Sequence, residues 1–352
     1  MLVSPTASNV PSPASSAPTS SALSRPSFAV LVDLLTDPGK YTATLLDDRA
    51  RTFVSITAAQ RTPISAAGGH ALTLPYVSAS STALYYLDGD SIVRRYGLDL
   101  KTSQVAHLDV SAGMEAAFAV SPDDVTMAVT VLDFNKSPVH LTLYTQDMNA
   151  GGSKRVIFQS DADYVWPVAW HAGMLVLAHA FGPFEEQISV AAPGRDNPYS
   201  AISYHLVDPT NANRLMLMGS CSVSGALSPA GSGCIQGGAI DWQNNTAPWS
   251  THDWGSISSA AALSPDGRWM AATSPDNPGA MAVYTTNGNI VNYLNGPGPR
   301  DWAGWLNDQT IVTGSYLDPN WRVEVANVVR GGIEYFSSAH GFFVGLVPAD
   351  VV

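Results

Sequence analysis

The side chains best suited to chemistry recur at similar places along the chain: His70; Glu115; Asp163, Tyr164 and Trp166; Asp253 and Trp254; Arg300, Asp301 and Trp302; and His340. Aromatic faces supply contact area and a few charged groups fix orientation, so this mixture suits ligand capture. Glu115, Asp163, Asp253 and Asp301 could also converge as oxygen ligands for Ca2+, but no complete calcium-loop spacing is present. We therefore read them as solvated carboxylates, expect no metal and no cofactor, and keep calcium as the alternative. His70 and His340 could exchange protons at the same place. A lone loop histidine is more often a surface group, so no catalytic residue is assigned. Trp166, Trp254 and Trp302 have a second reading, as wedges between neighbouring sheets.

The motifs of common enzymes are absent. The sequence has no Gly-x-Ser-x-Gly elbow, no His-Glu-x-x-His, no phosphate-binding Gly-x-x-x-x-Gly-Lys and no complete dinucleotide fingerprint. The formal charge is -12, and lysine occurs only at Lys40, Lys101, Lys136 and Lys154. Nucleic-acid binding needs clustered Lys and Arg, so a nucleic-acid partner is excluded. Nothing approaches the roughly 20 apolar residues of a membrane-spanning helix. Cys221 and Cys234 fit no zinc or redox spacing. Both fall in one expected hairpin, on neighbouring strands, where a disulfide would imply an oxidising compartment. The other reading is two buried thiols.

The elements that must position these residues are repeats. Ala261–Leu263 lead into Ser264-Pro265-Asp266-Gly267, and a second apolar run starts at Trp269. Proline presets one turn dihedral and Gly267 accepts a positive φ, which predicts two short antiparallel strands and a tight turn. The same pattern recurs around Val77, Val120, Trp170, Leu227, Trp305 and Leu346, with intervals of 43, 50, 57, 36, 42 and 41 residues along the chain. A four-stranded propeller blade takes about 40–45 residues. The longer intervals hold loops, the longest around Phe181–Asn197. No sustained helical periodicity appears, so the fold is all-β.

The last copy ends after one strand. Three short runs, Phe28–Leu35, Tyr41–Leu46 and Thr52–Ala58, are the strands left to complete it. This predicts a seven-bladed β-propeller over residues 28–352, with the ring closed by N-terminal strands pairing with the C-terminal strand. Six blades is the alternative if the copy at Val77 or Leu227 is incomplete. In such a ring, the residues just before each repeat converge on one rim of the channel.

Residues 1–27 are rich in Ser, Thr, Pro and Ala. Such a segment cannot offset its ordering entropy by apolar burial, so a disordered tether is expected. Ser/Thr/Pro-rich tethers commonly join a bacterial anchor to an exported domain, so the membrane enters only through an anchor upstream of Met1.

Ser264-Pro265-Asp266-Gly267 with its following strand resembles the repeats of TolB-type and WD-repeat-like bacterial β-propellers. Ser121-Pro122-Asp123-Asp124 is a near copy, and Tyr96-Gly97-Leu98-Asp99-Leu100-Lys101-Thr102 resembles the strand and turn that follow. The resemblance covers roughly residues 28–352. The Trp-Asp strand ending and its Gly-His partner are missing from most copies. The resemblance implies an extracytoplasmic scaffold or sensor domain, periplasmic or on the cell surface. The expected function is non-catalytic binding of a protein, peptide or glycan at the channel rim by a monomer. The alternative is a small hydrolase or lyase with a calcium-dependent site at the channel mouth.

Overall fold

The computed structural model describes residues 27–66, 68–149, 152–171, 173–180, 182–184, 203–210, 218–221, 234–236, 239–241, 262–264, 268–273, 281–285, 289–294, 302–314 and 322–347. Among them every regular element is a strand. The first three are β1 (Phe28–Asp33), β2 (Lys40–Leu46) and β3 (Thr52–Ala59). They coincide with the three runs left over by the repeat pattern.

A small hairpin follows, β4 (Ser65–Ala66) with β5 (Gly69–His70). The second four-stranded sheet is β6 (Val77–Ala79), β7 (Ala83–Asp88), β8 (Ile92–Gly97) and β9 (Thr102–His107). The third is β10 (Met114–Val120), β11 (Thr126–Asp133), β12 (His140–Asp147) and β13 (Lys154–Ser160). The fourth is β14 (Tyr164–His171), β15 (Met174–Ala180), β16 (Ser203–Val207) and β17 (Met218–Cys221).

β18 (Cys234–Gln236) pairs only with β19 (Ala239–Asp241) among the described residues. Two more four-stranded sheets follow: β20 (Ala262–Leu263), β21 (Trp269–Thr273), β22 (Met281–Thr285) and β23 (Ile290–Leu294), then β24 (Trp302–Trp305), β25 (Thr310–Gly314), β26 (Val323–Asn327) and β27 (Gly332–Ser337). The final strand, β28 (Phe342–Val347), pairs antiparallel with β1, setting Phe28 opposite Val347 and Val32 opposite Phe342. The first sheet is therefore β28-β1-β2-β3.

Within each sheet neighbouring strands are antiparallel and, apart from the β28–β1 pair, consecutive in the chain, and in the first three four-stranded sheets the outermost strand is the most exposed. β1 is buried almost throughout, whereas β3 alternates towards solvent and β9 is nearly all open. Inner and middle strands are covered on both faces by adjacent sheets, so they are continuous apolar runs; outer strands are not. The first strands pack side by side: β24 against β28, β28 against β6, β6 against β10 and β10 against β14. Small residues permit this close approach. Ala117 and Ala119 are fully buried in β10. Side-by-side four-stranded sheets with their first strands innermost are the architecture of a β-propeller.

The repeat pattern has a physical counterpart. In the third sheet, Ser121 Oγ accepts the Thr126 amide at 2.9 Å, while the Ser121 amide donates to Thr126 O at 2.8 Å. Between β20 and β21, Ser264 Oγ accepts the Trp269 amide at 3.0 Å, and the Ser264 amide donates to Trp269 O at 2.9 Å. The serine thus closes the turn in the same way in both copies. Asp124 takes the left-handed position with φ +62°. Asp and Asn tolerate that region better than most side chains.

The cysteines depart from expectation. Cys221 ends β17, opposite Tyr204 of β16, and Cys234 opens β18, opposite Asp241 of β19. They do not share one hairpin. β17 finds its hydrogen-bond partner in the strand before it, and β18 in the strand after it.

Candidate ligand-binding site

The strands end on two opposite rims. One carries the tight turns after β6, β10 and β14 and the β12–β13 loop. The other carries the connectors that lead into β6, β10, β14 and β28, where the sequence placed its candidate residues.

On that connector rim the structure builds a covered surface. The β3–β6 connector runs over the start of β10, and Arg61 within it is 5 % exposed. Arg61 Nη1 donates to Leu74 O at 2.8 Å and Nη2 donates to Pro75 O. Its guanidinium lies 4.1 Å from the Tyr76 ring centre. Arg61 Nε lies 4.0 Å from Glu115 Oε1. Leu72 and Leu74 share a buried cluster with Ala117, Val165 and Trp166. Leu72 N donates to Pro183 O at 3.0 Å, and a Cβ on Gly68 would lie 2.1 Å from the Phe184 ring. The connector is thus seated on the fourth sheet, and only glycine permits so close an approach.

This seating reassigns several expected rim residues. Glu115 is 8 % exposed and faces Arg61 rather than solvent. Trp166 is 1 % exposed inside the cluster, which agrees with its reading as a wedge. The Tyr164 hydroxyl donates to Asp161 O at 3.1 Å and lies 3.3 Å from Val139 O. Burial, then Asp161 and Asp163, holds that phenol protonated above the usual tyrosine range. Asp163 remains exposed, 3.9 Å from His179 Nε2. Burial lowers the His179 pKa, and Asp163 acts against that shift.

The two histidines occupy different surroundings. His70 lies exposed in β5 of the small hairpin. His340 lines a cleft of about 190 Å3 over the first sheet, with Asp33, Asp37 and Lys40. Asp253, Trp254, Arg300 and Asp301 lie outside the described residues, and Trp302 opens β24. Among the described residues, no three His, Cys, Asp or Glu side chains converge as metal ligands would.

The turn rim carries the larger opening. A cavity of about 490 Å3 lies between the third and fourth sheets, within the roughly 300–1,000 Å3 of ligand pockets. The Ser121-Pro122-Asp123 turn and Thr126 form one wall, Thr145, Gln146 and Asp147 of β12 another, and Arg155, Thr210 and Trp170 the rest. Trp170 Nε1 donates to Ala119 O at 3.2 Å, which fixes the indole against the neighbouring first strand. Arg155 Nη1 donates weakly to Thr210 O at 3.4 Å. The Thr210 hydroxyl and amide, with Arg155 nearby, hold the Asp208 carboxyl below its ordinary pKa.

Pro122 and Trp170 also line a second, apolar cavity of about 90 Å3 on the axis, among Val77, Val120, Val168 and Leu346. A ligand in the larger cavity would therefore meet an aromatic wall, hydroxyls, carboxylates and one guanidinium, with apolar space beyond the indole. That arrangement can hold and orient a ligand. Among the described residues, its two hydroxyl–carboxylate pairs, Ser121 Oγ donating to Asp123 Oδ1 at 2.6 Å and Thr210 Oγ1 to Asp208 Oδ1 at 2.6 Å, each lie two residues apart within a single turn.

Sequence reasoning met Trp170, Ser121 and Pro122 only as marks of the repeat, and it missed Arg155, Thr126, Thr145 and Gln146. The available signal was that the repeat turn must itself present side chains on the opposite rim.

No protein-family model matches the chain, and no curated protein sequence does. Among solved structures, it is similar to a chain of a mitotic checkpoint complex, with 15 % identity over 80 % of this chain and 82 % of that one, at a TM-score of 0.50. It is also similar to a functionally unknown protein from Desulfotomaculum acetoxidans, with 10 % identity over 90 % of this chain and 98 % of that one, at 0.49. The Dos1 propeller shows 12 % identity over 85 % of this chain and 82 % of that one, at 0.44. At such identities the likeness concerns the fold alone. The chain is an all-β protein with a β-propeller fold.

Proposed function

We propose that this chain is a non-catalytic binding module that holds a peptide segment of a protein partner on the turn rim. The observation that carries this reading is the cavity between the third and fourth sheets, walled by Trp170 and continued by apolar space on the axis. The polar groups around it can pair with backbone amides, and Trp170 can pack a side chain.

The finer architecture in this proposal is seven blades. β28 with β1–β3 forms the closing blade, and β18 with β19 belongs to the fifth. The Ser-Pro-Asp turns favour a TolB-type relationship. The Ser/Thr/Pro/Ala-rich residues 1–27 favour an exported, anchored protein, at the periplasmic face or the cell surface, and we propose that it acts as a monomer.

The test is a screen of the purified chain against a displayed random-peptide library and a glycan array. Enriched peptides should lose most of their affinity with Arg155→Met and Trp170→Ala, and keep it with His340→Ala on the other rim. Enrichment of glycans alone would replace the peptide with a sugar ligand. Peptides insensitive to both turn-rim variants would remove the proposed site.

A further inference from the structure

We propose a second ligand site, for a small zwitterion of the α-amino acid class, in the cleft on the third sheet that Asp109 of the β9–β10 connector borders. It is independent of the turn-rim cavity.

The cleft measures about 290 Å3, enough for a free amino acid. Its floor is Tyr144, which is 4 % exposed and whose hydroxyl has no hydrogen-bond partner among the described residues. A buried, unpaired hydroxyl carries a desolvation cost that the free protein does not recover, and a ligand acceptor would recover it.

Charges around the floor are balanced. Lys154 carries its ammonium over the Tyr144 ring, 4.9 Å from the centre, and is ion-paired to Asp109. Lys136 lies 3.8 Å from Asp133 on the same cleft. Both pairs are partly exposed, so opening either costs little. A purely anionic ligand would meet Asp109 and Asp133, and a purely cationic one Lys136 and Lys154. A zwitterion matches both signs: its carboxylate takes the Tyr144 hydroxyl and Lys154, and its ammonium takes the released Asp109. Val131 and Val156 leave apolar wall for an aliphatic side chain.

The test uses the full chain. Each standard α-amino acid is screened at millimolar concentration by thermal shift, and hits are titrated calorimetrically. At least one neutral amino acid should bind, and its N-acetyl and amide forms should each bind about tenfold more weakly. Tyr144→Phe should weaken binding by a similar factor without lowering the melting temperature, because it deletes an unsatisfied group. Lys154→Met should weaken binding as a second, independent variant. No hit among the amino acids would overturn the proposal. So would equal binding of the capped forms, or a lowered melting temperature for Tyr144→Phe, which would show that the hydroxyl already has a partner.

Discussion

The Tyr85 hydroxyl, on the second sheet, donates to Asp124 Oδ1 on the tight turn of the third at 2.7 Å. Thr82 Oγ1 donates to the other carboxylate oxygen at 2.5 Å. One turn residue therefore ties two sheets together at the turn rim. Its backbone is left-handed, so the informative variant is Asp124→Gly, which keeps that conformation open and deletes only the carboxylate. We expect a loss of about 1–2 kcal/mol in denaturant unfolding, within the range of hydrogen bonds to charged acceptors. Tyr85→Phe should lose a similar amount. The double variant should lose less than the sum, because both delete the same bond.

The same pair sets an alkaline limit. Burial first, then Asp124, holds the Tyr85 phenol protonated well above the ordinary value of 10.0. The folded state then keeps a proton that the unfolded state releases. This contribution to stability is complete below about pH 10 and is lost as pH rises towards the folded-state value. Denaturant midpoints measured from pH 8 upward should fall on the alkaline side, and less steeply in Tyr85→Phe. Equal slopes would show that Tyr85 does not titrate differently on folding.

How much of this was legible in the sequence depends on what each residue had to satisfy. The Ser-Pro-Asp turns were legible because a tight reversal admits few residue types, and Ser121 and Ser264 make the same bonds. The strands left to complete the last sheet were legible for the same reason: their turns and alternation stand alone. The choice of rim was not. Trp166 and Trp170 lie four apart on β14, so simple alternation places them on one face. The register slips between Pro167 and Ala169, pairing Trp166 with Ala178 and Trp170 with Leu175. That bulge turns Trp166 into the core and Trp170 towards the cavity, and nothing local announces it. The apolar alternation of Leu72 and Leu74 is a local signal of a buried connector that the sequence reading passed over, taking His70 in the same stretch as part of an open rim.

The seat of that connector is testable through Arg61. The guanidinium satisfies two carbonyls, stacks on Tyr76 and faces Glu115, all in buried surroundings. Arg61→Ala strands those carbonyls and leaves Glu115 without its cation. Removing one partner of a buried pair costs about 3–5 kcal/mol. Global unfolding measured by denaturant should register that loss. Limited proteolysis should show new cleavage within residues 61–76. A loss below about 1 kcal/mol, with no new cleavage, would mean that the connector is not held where the structure places it.

The contact between β24 and β28 tests the placement of the last strand. A Cβ on Gly304 would lie 2.2 Å from Phe343 Cδ1 and 2.3 Å from Cγ, the root of the ring rather than its far end. Gly304→Ala therefore forces the two first strands apart, and overpacking of this kind costs about 1–3 kcal/mol. Phe343→Leu removes the ring and should cost about 1 kcal/mol in lost packing. Combined, the two should be less damaging than their sum, because the smaller side chain makes room for the methyl group. That coupling exists only if the C-terminal strand stands beside β24 in solution. Simple additivity, with Gly304→Ala neutral, would separate the two strands and open the ring at this seam.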